Sequence, residues 1–562
     1  MTRFWGFCGN SNITSISIPN TIERFNEDAF EGCTSLTSVK ITDLSAWCRA
    51  YFVLSGFGSD TDSYTASNPL HFAHNLYLNN NLVTTLNVPG VTNVPNGAFE
   101  GASCVTSINF QSYTKTIGRC SFEGCTEVKI LTIPNSVTTI GPYAFFGCTG
   151  LQMVTIGSGV TSIERRAFDG CTQLKAVVCE ASTPPETSSW NFGTGGTIYM
   201  TLIVPKGKKS VYQSAEGWSN FNKIVEVGEE GYQFIYNNAL YEVTSTTYPY
   251  TCRLMNGNFT SNDVTILSSV YDSKSQRNYQ VTTIGEFAFS GVKETMTSVH
   301  IPNTIKKIET DAFWSTPSLE RVNITDLAAY CNMEVGSGMT AIDNYPSYYS
   351  HNLYLNNVEI TDLKIPSDVT EIKLGTFAGC INFKSVTFHN KLTGIGYDAF
   401  AGCTGLAEIV IPSSVEYLDH VAFGSCTGLK KVIIENSPVV LSSNVFYGCS
   451  NLSTIVSLKG TAPSCGTECF KYVPVGSCVV WVPRGSVYSY RGAGEWGNFT
   501  YINELIFGDA NVDGFVNTAD LVEALNAKKG TPSTRFIQYN ADQTGNGVDA
   551  NDIKAIVEKI MK

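Results

Sequence analysis

The chain has 562 residues, 43% of them hydrophobic, 12% aromatic and only 15% charged, so a large core is available and wholesale disorder is excluded. Its 37 Lys and Arg against 49 Asp and Glu give a net charge of −12, without the basic footprint that nucleic-acid binding needs. The 18 Cys are too sparse for a disulfide scaffold, the 6 His leave little for metal or acid–base chemistry, and the 49 Gly point to a turn-rich β protein.

Met1-Thr2-Arg3-Phe4-Trp5 has neither the apolar stretch nor the small-residue cleavage site of a signal peptide. Phe7 already stands in mid-coil, so a natural N-terminus longer than this one is expected. From there a repeat of 23 residues sets in. Ala144-Phe145-Phe146-Gly147-Cys148 returns as Ala167-Phe168-Asp169-Gly170-Cys171, and related segments surround Phe30, Phe400 and Phe446. The Phe anchors form two series: Phe7, Phe30, Phe99, Phe122, Phe145, Phe168, Phe192 and Phe289, Phe313, Phe377, Phe400, Phe423, Phe446, Phe470. Both are spaced by 23 or 24 residues with one long interval at the same place, so the chain is a tandem duplication. Each unit reads as an alternating strand (Leu151, Val154, Ile156), a turn, a second short extended stretch (Val160, Ile163) and the Ala-Phe anchor. One such coil cannot bury its own apolar face, but stacked coils can, which predicts a β-rich (α/β) solenoid.

The pattern A-F-x-G-C-T-x-L-x-x-V-x-I-P-x-S-V-x-x-I resembles the BspA-type leucine-rich repeat of bacterial surface proteins, from Phe7 to about Leu505. The Asn that commoner leucine-rich repeats place after the strand is here Ser136, Gly159 or Ser414. The Cys column (Cys125, Cys148, Cys171; Cys380, Cys403, Cys426, Cys449) is expected to fill part of that interior, as reduced, buried thiols.

The long interval holds Asp43-Leu44-Ser45-Ala46-Trp47-Cys48 and later His74-Asn75-Leu76-Tyr77-Leu78-Asn79-Asn80; its counterpart has Asp326 to Cys331 and an identical heptapeptide, His351 to Asn357. It reads either as a binding loop or as a short helix and extra strand that patch the solenoid, with the variable tips, 55–68 and 335–350, as the place for specificity. The first array ends in Val204-Pro205-Lys206-Gly207 with Tyr212, Trp218, Phe221 and Ile224. The second ends in Val482-Pro483-Arg484-Gly485 with Tyr488, Trp496, Phe499 and Ile502. These read as aromatic caps over an open terminal coil. Domain 1–227 is therefore array 1 with its cap; 228–505 is a lead-in hairpin, array 2 and cap; 506–562 is a separate C-terminal domain.

In each coil one strand residue faces outward. In array 1 that row is Asn109, Thr132, Thr155, Val178; in array 2 it is Thr387, Val410, Ile433, Val456. The apolar run Val410, Ile433, Val456 reads either as a ligand-binding stripe or as strand residues that another part of the chain covers.

At the C-terminus Asp509, Asn511, Asp513, Phe515 (through its carbonyl), Asn517 and Asp520 stand at the ligand positions of a 12-residue calcium loop, with Gly514 at the sharp turn. A second loop, one residue short, offers Asp542, Thr544, Asn546, Asp549 and Asp552. Paired loops each followed by an apolar helix resemble a type I dockerin, which implies Ca²⁺ as cofactor and a small α-helical EF-hand-like domain. There is no phosphate loop, no Gly-x-Ser-x-Gly elbow and no HExxH, so no catalytic residue is expected. The resemblances imply an exported or cell-surface, non-catalytic adhesion protein holding a protein or glycan ligand. The alternative is a dockerin-bearing component that docks onto a cohesin-type receptor in a polysaccharide-degrading assembly.

Overall fold

A computed structural model describes residues 2–53, 67–188, 190–193, 199–257, 259, 261–336, 345–506, 524, 526, 548 and 550–560. Two compact units divide the chain: Met1–Phe234 with Glu242–Tyr250 and Asp272–Arg277, and Ile235–Tyr241 with Thr251–Tyr271 and Asn278–Lys562. The division runs through the segment read as a lead-in hairpin and falls later than 227/228. Of the C-terminal 506–562, the described residues include the helix Ala550–Ile560.

In the first unit the strands Ile130–Ile133, Met153–Ile156 and Ala176–Cys179 lie side by side and parallel, with Ile133, Ile156 and Cys179 in register. Partners stand 23 residues apart, so one repeat is one coil. Thr201–Val204 and Lys223–Glu226 complete this five-stranded sheet. The short strands Asn93–Val94, Thr116–Ile117, Thr139–Ile140 and Ser162–Ile163 form a second parallel ladder. The second unit repeats the arrangement with Glu408–Ile411, Lys431–Ile434, Thr454–Ser457, Val479–Val482 and Tyr501–Glu504. Alternation does the sorting: along Ile130–Ile133, Leu131 and Ile133 are buried while Thr132 is exposed.

Between the ladders the Phe anchors stack. Phe122, Phe145 and Phe168 follow one another at 5.3 Å with rings within 5° of parallel, and Phe400 and Phe423 at 5.2 Å and 4°. Beside them the column thiols of Cys125, Cys148, Cys171, Cys403, Cys426 and Cys449 donate to the carbonyl of a Phe anchor in the preceding coil, as Cys148 to Phe122 at 3.3 Å, Cys171 to Phe145 at 3.3 Å and Cys426 to Phe400 at 3.1 Å. The thiol ladder thus adds a second donor to buried carbonyls that already accept a backbone N–H. All 18 cysteines are free. Burial pushes the Cys449 thiol up to about 12. Coils approach so closely that a Cβ on Gly428 would lie 2.0 Å from the Thr404 carbonyl oxygen.

The duplicated insertion is a patch on the solenoid. Asp43 caps the helix Leu44–Trp47 through the amides of Ser45 and Ala46, and Asp326 caps Leu327–Cys331 through Ala329. His74 and His351 end the next helices, Leu70–Ala73 and Pro346–Ser350, in the left-handed region at φ 59° and 60°. The strands Leu76–Leu78 and Leu353–Leu355 then join the main sheets. Asn79-Asn80 and Asn356-Asn357, all at positive φ, make the tight hairpin turns that follow. Most of the variable tips, 54–66 and 337–344, lie outside the described residues.

Both caps close a coil end with aromatics. Trp218 and Trp496 are fully buried and donate their indole N–H to the carbonyls of Pro185 and Pro463, each at 2.8 Å. Tyr212 donates to the Ala181 carbonyl at 2.7 Å. In the second cap the inward ring is not Tyr488, which is 90% exposed, but Tyr490, which donates to Ser457 Oγ at 2.6 Å. The reason is register: Tyr490 stands six residues before Trp496, as Tyr212 does before Trp218.

Candidate functional site

The heptapeptide strand carries its inward Leu76 or Leu353 beneath the sheet and presents Tyr77 or Tyr354 on the outer side. In the second unit Tyr354 completes an outward row in register with Asn323, His300 and Thr265. The side chains of this row hold one another. The Asn357 amide donates to Asn323 Oδ1 at 2.8 Å, which turns Asn323 Nδ2 toward His300 Nδ1 at 2.9 Å and Asn357 Oδ1 at 3.0 Å. His300 Nδ1 is therefore an acceptor, and its Nε2–H faces Asp263 Oδ1 at 2.8 Å. Ser298 also donates to Asp263, and this bond, with His300 beside it, holds the Asp263 carboxyl below its usual range. Arg321 lies 4.0 Å over the Tyr354 ring and donates to the Asn357 carbonyl at 3.2 Å. In the first unit the matching row is Ser17, Lys40, Tyr77. The second-unit row combines an aromatic face, a cation and hydrogen-bonded polar groups on one sheet, and the first-unit row an aromatic ring and a lysine. They were not singled out from the sequence; the Tyr between the two Leu of the repeated heptapeptide is the signal that marks them.

The row that the sequence did single out lies further along. Val410, Ile433 and Val456 do face outward and are in register. Ile433 and Val456 are nevertheless 3% and 0% exposed and pack with Leu505, Leu458 and Trp481, with Val410 half-buried at the edge. The ligand-binding reading of this stripe is corrected accordingly at Ile433 and Val456, which are covered by packing with Leu458, Trp481 and Leu505 and offer no open surface. In the first unit Val178 is buried as well, whereas Thr132 is exposed and Thr155 partly so.

Of the calcium-loop residues, Asp509, Asn511, Asp513, Phe515, Asn517, Asp520, Asp542, Thr544, Asn546 and Asp549 lie outside the described residues. Asp552 is described: it sits in the first turn of the helix Ala550–Ile560, 1% exposed, on the element that also buries Ile556. Among the described residues no group of three or more His, Cys, Asp or Glu is placed to hold a metal ion. Nor is any helix among them long and apolar enough to cross a membrane.

Stacked 23-residue coils with a parallel sheet on one side define a leucine-rich-repeat solenoid. The model of the BspA type leucine-rich repeat region, in six copies, matches residues 5–52, 72–191, 264–344 and 348–474, more than half of the chain, and the chain belongs to that family. Among solved structures it is similar to a leucine-rich repeat protein from Bacteroides ovatus (19% identity over 79% of this chain and 86% of that one, TM-score 0.29). It is also similar to a leucine-rich cell surface protein from Faecalibacterium prausnitzii (20% identity, 81% and 82%, TM-score 0.19). A third is the leucine-rich repeat protein of T. pallidum (19% identity, 43% and 91%, TM-score 0.24). No curated protein matches the chain.

Proposed function

We propose that this chain is an exported, non-catalytic binding or adhesion protein whose outward sheet rows hold a protein or glycan ligand. The observation that carries the reading is the row Thr265, His300, Asn323, Tyr354 with Arg321. His300, Asn323 and Arg321 are already oriented by hydrogen bonds, so little ordering entropy is lost when a ligand arrives. A half-buried ring with a guanidinium over it suits peptide and sugar faces alike. The surface role follows from what BspA-type repeats imply. The test is retention on a panel of immobilised matrix proteins and polysaccharides. The double variant Arg321→Ala/Tyr354→Ala is expected to lose at least tenfold in retention on whichever member the parent holds, while its unfolding midpoint stays within a few degrees. Equal retention by the variant refutes the reading.

The C-terminal 506–562 is proposed to bind Ca²⁺ through the loop Asp509 to Asp520, the motif with all its oxygen positions filled and its full length. Chelation is expected to make that tail protease-sensitive while both arrays persist. Equal resistance with and without Ca²⁺ refutes it. The pairing of two such loops favours, as second reading, docking on a cohesin-type receptor in a polysaccharide-degrading assembly. Ca²⁺-dependent capture of the full chain by an immobilised cohesin domain is the test.

A further inference from the structure

The outward row of the second unit carries a chain of hydrogen bonds whose directions are fixed from one end. The Asn357 main-chain N–H can only donate, and it donates to Asn323 Oδ1 at 2.8 Å. Asn323 Nδ2 is thereby left to donate to His300 Nδ1 at 2.9 Å and to Asn357 Oδ1 at 3.0 Å. His300 spends its one ring proton on Asp263 Oδ1, 2.8 Å from Nε2. On the other side the Asn357 carbonyl accepts from Arg321, whose guanidinium lies over the Tyr354 ring. Asn357 therefore ties the imidazole to the cation and ring of the row.

This chain accommodates a neutral imidazole and conflicts with a charged one. A second ring proton goes to Nδ1, because Nε2 already carries the first. Nδ1–H and the Asn323 amide protons then meet as two donors across 2.9 Å. Asn323 is 5% exposed, so water does not stand in for the missing acceptor. Turning the amide over gives Nδ1–H an acceptor but sets Nδ2 against the Asn357 main-chain N–H, so the conflict passes to the hairpin turn. The neighbouring strands bring Asp263 from one side and Arg321 from the other, with Tyr354 beyond; the strand of His300 itself, Ser298–Ile301, adds no other ionisable group. Asp263 favours the second proton and Arg321 opposes it. The first unit builds the same hairpin without an imidazole: Ser17 and Lys40 stand where His300 and Asn323 do, beside Tyr77. Folding of the insertion does not require the chain of bonds.

We propose that a proton on His300 Nδ1 gates the outward row of the second unit, which holds its ligand while His300 is neutral and releases it when His300 is charged. This rests on the reading of that row as the ligand face. In the neutral state Asn323 fixes Asn357, and Asn357 fixes Arg321 over Tyr354. In the charged state Asn357 loses the Asn323 acceptor, its carbonyl no longer sets Arg321, and the ligand must order these groups itself at a loss of affinity.

The full chain, isotope-labelled at histidine and asparagine, is titrated by NMR without ligand. The His300 ring and Asn357 amide signals are assigned by their loss in His300→Gln and Asn357→Gly. In the parent the Asn357 amide signal is expected to move with the same midpoint as the His300 ring. Asn323→Asp gives Nδ1–H a carboxylate and still offers an acceptor to the Asn357 N–H. It is expected to raise the His300 midpoint by about one unit or more and to hold the Asn357 signal still. His300→Gln can accept from Asn323 and donate to Asp263 but does not titrate; it serves should the added charge disturb the sheet, and it too should hold the signal still. Retention of the parent on the panel member it holds is expected to fall about tenfold across the His300 midpoint, with no such fall in His300→Gln. An Asn357 signal that does not follow His300, or a His300 midpoint unmoved by Asn323→Asp, overturns the proposal. These signals are read without ligand, so a failure of the binding reading shows separately, in Arg321→Ala/Tyr354→Ala. Retention that stays level across the midpoint while that double variant is impaired also overturns the gate.

Discussion

Phe400 tests whether stacked anchors hold the solenoid. It is fully buried, lies 5.2 Å from both Phe377 and Phe423, and meets Phe388 edge-on at 5.8 Å. Burying a Phe side chain contributes roughly 1.5–3 kcal/mol, and each aromatic pair adds roughly 0.5–1.5 kcal/mol. Phe400→Ala is thus expected to cost about 4 kcal/mol, inside the range of 3–5 kcal/mol usual for such truncations. Phe400→Leu keeps most of the apolar area and loses the ring contacts, so about 1–2 kcal/mol is expected. A double-mutant cycle of Phe400→Leu with Phe423→Leu should show coupling of about 0.5–1.5 kcal/mol, because those rings are within 4° of parallel. The assay is equilibrium urea unfolding followed by tryptophan fluorescence, with Trp496 reporting on the cap of the same unit. Tyr488→Ala, at a ring 90% exposed, should change stability by no more than about 0.5 kcal/mol. If Phe400→Ala costs less than about 1 kcal/mol, or matches Phe400→Leu, the stacked column is not what holds the coils.

Cys148→Ala, which leaves the Phe122 carbonyl with the Cys125 N–H as donor and removes the thiol, is expected to cost about 1 kcal/mol, whereas strong reductant should leave the unfolding midpoint of the parent unchanged because its thiols are free. Trp218→Phe keeps the ring but removes the donor to Pro185, and about 2 kcal/mol of destabilisation in urea is expected. Gly428→Ala must push two coils apart at the Thr404 carbonyl and should cost about 1–3 kcal/mol, measured the same way. The hydrogen bond to Glu100 at 2.7 Å raises the His71 pKa above its ordinary value. The stabilisation is therefore fully present below the ordinary value and is lost as pH rises through the raised one. An NMR titration of His71 should show a midpoint above that of a free imidazole, and Glu100→Gln should bring it back down.

Features that repeat or that close locally were legible in the chain alone. The 23-residue period and its Phe anchors dictate stacked coils, since an apolar strand face recurring at fixed spacing has no partner but its own neighbour. The heptapeptide ending in Asn79-Asn80 carries its hairpin within itself, because two adjacent Asn tolerate positive φ where other residues would not. That the insertion adds a short helix and a strand to the solenoid was settled by register, which puts Leu76 and Leu353 into the core. Other features depend on residues far apart in sequence. Whether Val456 meets solvent depends on where Leu458, Trp481 and Leu505 come to lie. Which tyrosine of the second cap turns inward depends on the position of Trp496 over the last coil. The His300–Asn323–Asn357 network arises only when strands dozens of residues apart come into line. Hydrophobic periodicity is a property of the chain and survives in it as a pattern; hydrogen bonds and cover across coils are short-range in space but unordered in sequence, so only the folded register decides them.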